Sequence, residues 1–146
     1  MIHQEVLIFE FSTDGQFSGI EVWLERYEYG TSVEQLDAVS IIYGGAHPFA
    51  GQLSILINQA HQDNTVWAFT LFADGALTQN TLILPHANQY GLPSAMTRFT
   101  APRPIQAGAE IILLGNHFSR ERGGPTEGWE TREQYSYSYA IKARFV

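Results

Sequence analysis

The chain has 146 residues, 45% of them apolar and only 16% charged, with a formal charge of −7 and eight Lys and Arg in total. That length suffices for one domain whose core needs no covalent staples, so residues 1–146 are read as a single domain. The acidic balance argues against nucleic acid or an anionic membrane as partner, and the absence of Cys excludes disulfides, Cys-ligated zinc and thiol catalysis.

The opening Met1-Ile2-His3-Gln4-Glu5 has no positive leader. No apolar run approaches the roughly 20 residues that span a bilayer, and no Asn-x-Ser/Thr sequon occurs. The expectation is a soluble chain with no signal peptide, with the cytoplasm slightly favoured over other compartments.

Residues 5–12 and 17–24 are rich in β-branched and aromatic side chains and flank Asp14-Gly15, a pair that tolerates positive φ. They predict a hairpin. With Thr13 facing Gln16, its register places Leu7, Phe9, Phe11, Ile20, Val22 and Leu24 on one side, and Val6, Ile8, Glu21 and Trp23 on the other. Ile20, Trp23, Leu24 and Tyr27 also fit helical spacing, but register and turn agree on strands. Thr31 and Ser32, followed by Glu34 and Gln35, resemble a capped helical turn over 31–36, and 38–43 then reads as a strand stopped by Gly44-Gly45.

Residues 52–58 alternate as a further strand. A second hairpin is predicted over 65–73 and 76–84 around Asp74-Gly75. It matches the first at a shift of sixty residues, either through turn chemistry alone or through an old internal duplication. Pro85 to Pro93 reads as a loop. A strand follows over 94–100, and Pro102-Arg103-Pro104 interrupts any central strand. The unbroken Ile111-Ile112-Leu113-Leu114 within 110–114 predicts a strand covered on both faces.

The cleanest alternation lies at 132–146. Glu133, Tyr135, Tyr137, Tyr139, Ile141, Ala143 and Phe145 share one face; Gln134, Ser136, Ser138, Ala140, Lys142 and Arg144 share the other. Such a strand needs a partner on each edge and a layer over its aromatic side, and it is expected to end the domain. The whole predicts an all-β, antiparallel β-sandwich or jelly-roll-like fold of about eight to ten strands with at most one short helical turn. A closed barrel is the second choice.

Chemistry is sparse. The five His, at positions 3, 47, 61, 86 and 117, show no metal-ligand spacing, and no Gly-x-Ser-x-Gly or phosphate-cradling loop occurs. No metal, cofactor or catalytic residue is therefore assigned. Glu21 and Glu25, beside Trp23, read as solvated surface carboxylates. The stretch from 115 to 131 is the longest irregular one, and the loop from Asn116 to Glu130 within it is the best functional candidate: Trp129, with Glu127, Arg120, Arg122, His117 and Asn116, offers an aromatic face with carboxylate, guanidinium and amide groups, the mixture that sugar recognition wants. His47-Pro48-Phe49 and residues 86–90 are secondary candidates.

The favoured function is a non-catalytic binding module for a carbohydrate or other small polar ligand. The alternative is a self-assembling coat, capsid-type or inclusion protein, and the third choice is a hydrolase whose site is assembled from distant strands. Self-association into a homo-oligomer is expected from the Tyr row at 135–139 and from the apolar reverse side of the first hairpin.

Overall fold

The computed structural model describes residues 3–59, 64–85, 93–98, 102–118 and 137–146. These contain nine strands and no helix: β1 (His3–Ser12), β2 (Gly19–Glu28), β3 (Thr31–Ile42), β4 (Ala50–Gln59), β5 (Asn64–Ala73), β6 (Ala76–Pro85), β7 (Pro93–Arg98), β8 (Ile111–Phe118) and β9 (Tyr137–Phe145). No helix among the described residues is long and apolar enough to cross a membrane. The strands form two antiparallel sheets ordered β1-β4-β5-β6 and β3-β2-β9-β8-β7, a β-sandwich in which, among the described residues, no pairing closes the sheets into a barrel.

Two-residue periodicity puts alternate side chains of each sheet into one core. Leu53, Ile55 and Ile57 of β4 and Trp67, Phe69 and Leu71 of β5 meet Ile20, Val22 and Leu24 of β2 and Tyr139, Ile141 and Phe145 of β9. Trp67 and Tyr139 touch edge to face across the layers, their ring centroids 5.9 Å apart. At one end Phe145 collects Phe11, Phe17 and Phe49, with centroids at 5.5, 5.9 and 6.2 Å. On the β3 side the sheets are tied by Asn80 Nδ2 donating to Ala38 O at 2.9 Å and Tyr43 OH donating to Ala73 O at 2.8 Å.

The second predicted hairpin forms as expected, with Ala73 opposite Ala76. Asp74 and Gly75 both take positive φ, at 45° and 82°, the two-residue turn whose twist suits flanking strands. The first predicted hairpin does not form. β1 pairs with β4, and β2 lies in the other sheet between β3 and β9. Asp14 is bonded within its own turn, accepting from the Gln16 side chain at 3.1 Å, while Thr13 N donates to Phe49 O at 2.8 Å and Phe17 turns into the core. The segment thus crosses between layers. Leu7, Ile20, Val22 and Leu24 still face inward, but from opposite sheets, and the sixty-residue match does not extend to topology.

The helical turn predicted over 31–36 is strand. β3 folds back on β2 through Tyr29 and Gly30, both at positive φ (48° and 83°), with Glu28 opposite Thr31. Pairing with β2 outweighs the local capping pattern, which offers only a few bonds. Residues 115–118, expected to be irregular, continue β8.

Two of the β-bulges in the second sheet bring an extra residue into the core. Val22 faces Val39 while Trp23 faces Asp37, so Ala38 is extra, and Ala38 and Val39 both enter the core. Ile112 faces Lys142 while Leu114 faces Ile141, so Leu113 is extra and both Leu113 and Leu114 are buried. An added residue on one strand shifts its facing by one position. The unbroken apolar run at 111–114 is explained in part by this bulge.

Gly51 shows how closely β4 and β5 approach. A Cβ there would lie 2.1 Å from Phe72 O and 2.8 Å from Phe11 Cζ, whereas one at Gly44 would meet nothing within 4 Å. Gly51→Ala is expected to destabilise the fold by about 2 kcal/mol, and Gly44→Ala to stay within about 0.5 kcal/mol; urea titrations of the two variants against wild type measure the contrast.

Candidate functional site

The outward face of the second sheet carries its chemistry. Alternation on β2 places Glu21, Trp23, Glu25 and Tyr27 there, and the register sets them opposite Arg144, Lys142, Ala140 and Ser138 of β9. This face is not open to water at its centre: Trp23, Glu25, Tyr27, Ser138, Ala140 and Lys142 are all buried. The polar side of β9 is therefore as enclosed as its aromatic side.

A buried carboxylate and ammonium need partners, and both have them. Glu25 Oε2 accepts from Lys142 Nζ at 3.1 Å and from Tyr27 OH, while Oε1 accepts from Gln35 Nε2 at 2.6 Å and Trp23 Nε1 at 3.3 Å. Lys142 Nζ also donates to Glu110 Oε2 at 3.1 Å and stands 5.4 Å from the centroid of the Tyr27 ring. Farther along, Arg144 Nη2 donates to Glu21 Oε2 at 2.9 Å, with its guanidinium carbon 5.4 Å from the Trp23 ring centroid.

Burial alone would raise the Glu25 pKa, but the bonds from Tyr27, Gln35, Lys142 and Trp23 outweigh it and hold the carboxyl at about 2, against an ordinary 4.5. Burial alone would likewise lower Lys142; its bonds with Tyr27, Glu110 and Glu25 raise it above its ordinary value instead. Burial, and then the Glu25 carboxylate, raise the Tyr27 hydroxyl. A general acid or base works best with a pKa near the operating pH, and all three groups are displaced away from neutrality. The cluster is built to stay charged and paired. Glu25 is thus not the solvated carboxylate expected from the sequence, because Lys142, 117 residues away, is brought across from β9. Glu21 does lie at the surface, paired with Arg144.

Beside this cluster, a groove of about 600 Å3 runs over the bulge in β3. Trp23, Gln35, Asp37, Asn80, Glu110 and Arg144 line it, with Glu21 at its side. Three carboxylates against one guanidinium make the lining acidic. Arg144 lies over the indole, so a ligand meets the guanidinium there. Asp37 is exposed, and its carboxylate pairs with no other side chain among the described residues.

A larger cleft of about 910 Å3 opens between β1 and the segment before β8, on a floor of Phe9, Phe11, Ile105 and Phe145. Of the polar groups that line it, Asp14 is bonded to Gln16 and Arg103 Nη2 to Ile112 O at 2.7 Å, while Glu10 is exposed. It is the open side of the sandwich, and its floor is mainly aromatic and aliphatic.

Of the residues singled out from the sequence, Asn116 and His117 lie on β8, their backbones opposite Tyr139 and Ser138. Their side chains, and all of Arg120, Arg122, Glu127 and Trp129, lie outside the described residues, as do 86–90 and Tyr135. Phe118 and Tyr137, which bound the 119–136 connection, pair at the opposite end of the second sheet from Ile111 and Ala143, next to Glu110 and Arg144. His47 packs edge to face on Tyr43, centroids 4.4 Å apart, with Nε2 3.7 Å from Asp74 Oδ2, and belongs to that other end. Tyr139 is core. Among the described residues no three His, Asp or Glu side chains are gathered as a metal would require.

Sequence reading missed Gln35, Asp37, Lys142 and Arg144. The signal was faint but present: an outward strand face carrying Glu, Trp, Glu and Tyr in alternation, and another carrying Lys and Arg, each supplies what the other lacks. Comparison with protein-family models, curated proteins and solved structures finds no match.

Removing Lys142 leaves Glu25 buried without its cation. Lys142→Ala is expected to cost about 3 kcal/mol or more, and Glu25→Gln with Lys142→Met to cost less than that single change, as measured by chemical denaturation. Because the folded pKa of Glu25 lies below its unfolded value, its contribution is fully present above pH 4.5 and is lost as pH falls toward 2. Stability of Glu25→Gln, followed by thermal melts across that window, is expected to fall less steeply with acid than wild type.

Proposed function

We propose that this protein is a non-catalytic binding domain, and that it holds a neutral, hydroxyl-rich ligand of the carbohydrate class in the groove over the β3 bulge. The observation that carries the reading is the convergence there of two amides, Gln35 and Asn80, two carboxylates, Asp37 and Glu110, and the guanidinium of Arg144. Hydroxyl groups both donate and accept, so a sugar uses acceptor-only carboxylates and donor-only guanidinium at once. The acidic lining disfavours phosphates and other anions. A groove beside a bulge on a rigid sheet also holds its side chains at fixed spacing. The displaced pKa values of Glu25 and Lys142 support binding over acid–base catalysis.

Trp129, with Glu127, Arg120, Arg122, His117 and Asn116, stands as a separate candidate, because Phe118 and Tyr137, which bound the 119–136 connection, lie at the other end of the second sheet from Glu110 and Arg144. Self-association is compatible with this reading, because the groove opens on the β3 side while five of the nine large exposed apolar residues among those described lie on the outer face of the first sheet.

The test is retention on a glycan array followed by titration calorimetry with the retained sugar. Asp37→Ala is expected to weaken binding by tenfold or more, the loss of one hydrogen bond to a charged acceptor, with the melting temperature unchanged. Loss of binding in Trp129→Ala but not in Asp37→Ala would move the site to the 119–136 connection. Retention of no glycan by the wild-type protein would overturn the proposal.

A further inference from the structure

Two sheet faces look outward from this sandwich, and they differ in kind. The outer face of the second sheet is buried at its centre around Glu25 and Lys142. The outer face of the first sheet is open. It carries Val6, Ile8, Phe72, Leu77 and Ile83, exposed by 49% to 61%, which are five of the nine large exposed apolar residues among those described. The register arranges the face as four rows across β1, β4, β5 and β6. One row runs Val6, Leu56, Ala68, Thr81 and the next Ile8, Ser54, Thr70, Gln79. Glu10, at one corner, is the only ionisable side chain in the four rows.

We infer that this face binds the same face of a second copy of the chain, forming a two-fold dimer of sandwiches stacked back to back. Charge selects the partner. Each copy carries −7, so two copies repel wherever acidic surfaces meet, and a face with one carboxylate at its corner is where that repulsion is least. The same face has no Lys or Arg to engage anionic headgroups, which disfavours a lipid surface. Size is adequate. Four strands about 4.8 Å apart and ten residues long, at a rise of about 3.3 Å, cover roughly 600 Å2. Two such faces bury on the order of 1,200 Å2, the lower end of stable interfaces. A two-fold axis uses one patch on both subunits, and stacked sheets interdigitate apolar side chains between small hydroxyl residues such as Ser54, Thr70 and Thr81. The β3 groove borders this face at Gln79 and otherwise lies on the β3 side, so the dimer presents two of them.

Sedimentation equilibrium of the purified full chain between about 1 and 100 µM tests the inference. A species of twice the 16.4 kDa chain mass is expected, with Ile8→Glu/Phe72→Glu weakening association at least tenfold at unchanged circular dichroism. Because the chain contains no Cys, a single introduced thiol gives an independent reading that spares the apolar residues. Thr70→Cys, at the middle of the face, is expected to form a covalent dimer with a bismaleimide of about 10 Å span, the spacing of packed sheets. Ser40→Cys, on the exposed β3 edge, is expected not to cross-link. A wild-type monomer at 100 µM, a dimer indifferent to both glutamates, or cross-linking at Ser40 instead of Thr70 would overturn the proposal. So would a monomer that sediments with zwitterionic phosphatidylcholine vesicles, which would assign the face to lipid.

Discussion

A central strand whose two faces are both closed to water governs this protein. β9 lies between β2 and β8, so its backbone groups are paired on both edges, and one side of it packs Tyr139, Ile141, Ala143 and Phe145 into the sandwich core. Its other side carries Ser138, Ala140 and Lys142, also buried. An ammonium in that position is tolerable only with a carboxylate beside it, and a buried carboxylate is tolerable only with further donors. Glu25 and its bonds to Trp23, Tyr27 and Gln35 follow from that requirement. Through it β2, β3 and β9 are held in one register, because shifting any strand by one residue would put Lys142 or Glu25 on the wrong face.

The same constraint separates structural from receptive chemistry. Charges that are saturated with partners have little left to offer a ligand, and their proton affinities are moved away from the range in which acid–base catalysis works. What remains available lies at the margin of the cluster, where the extra residue at Ala38 turns β3 and brings Asp37 beside Gln35, Asn80 and Arg144. A bulge in an edge strand also discourages open-ended strand addition.

Bulges also show why simple alternation is an incomplete guide. At Ala38 and at Leu113 an inserted residue lets two consecutive side chains enter the core. Read as a pattern, Leu113-Leu114 looks like a strand with two covered faces; in the fold, both residues point the same way. Only the pairing partner across the sheet distinguishes these cases.

The all-β sandwich, the second hairpin and the inward set Leu7, Ile20, Val22, Leu24, Tyr139, Ile141 and Phe145 were legible from residue order alone, because side-chain facing in a strand depends on parity and the Asp74-Gly75 turn depends on two neighbouring φ angles. Parity says which way a side chain points and nothing about which strand lies beside it. The assignment of β1 to β4 and of β2 to β9 was therefore invisible, as was the conversion of 31–36 from an apparent capped turn into strand. The site was hidden for the same reason. Glu25 and Lys142 are 117 residues apart, and each alone reads as a solvated surface charge. Only tertiary structure, by placing β9 against β2, turned two such charges into a buried pair and left Asp37, Asn80 and Arg144 gathered along its edge.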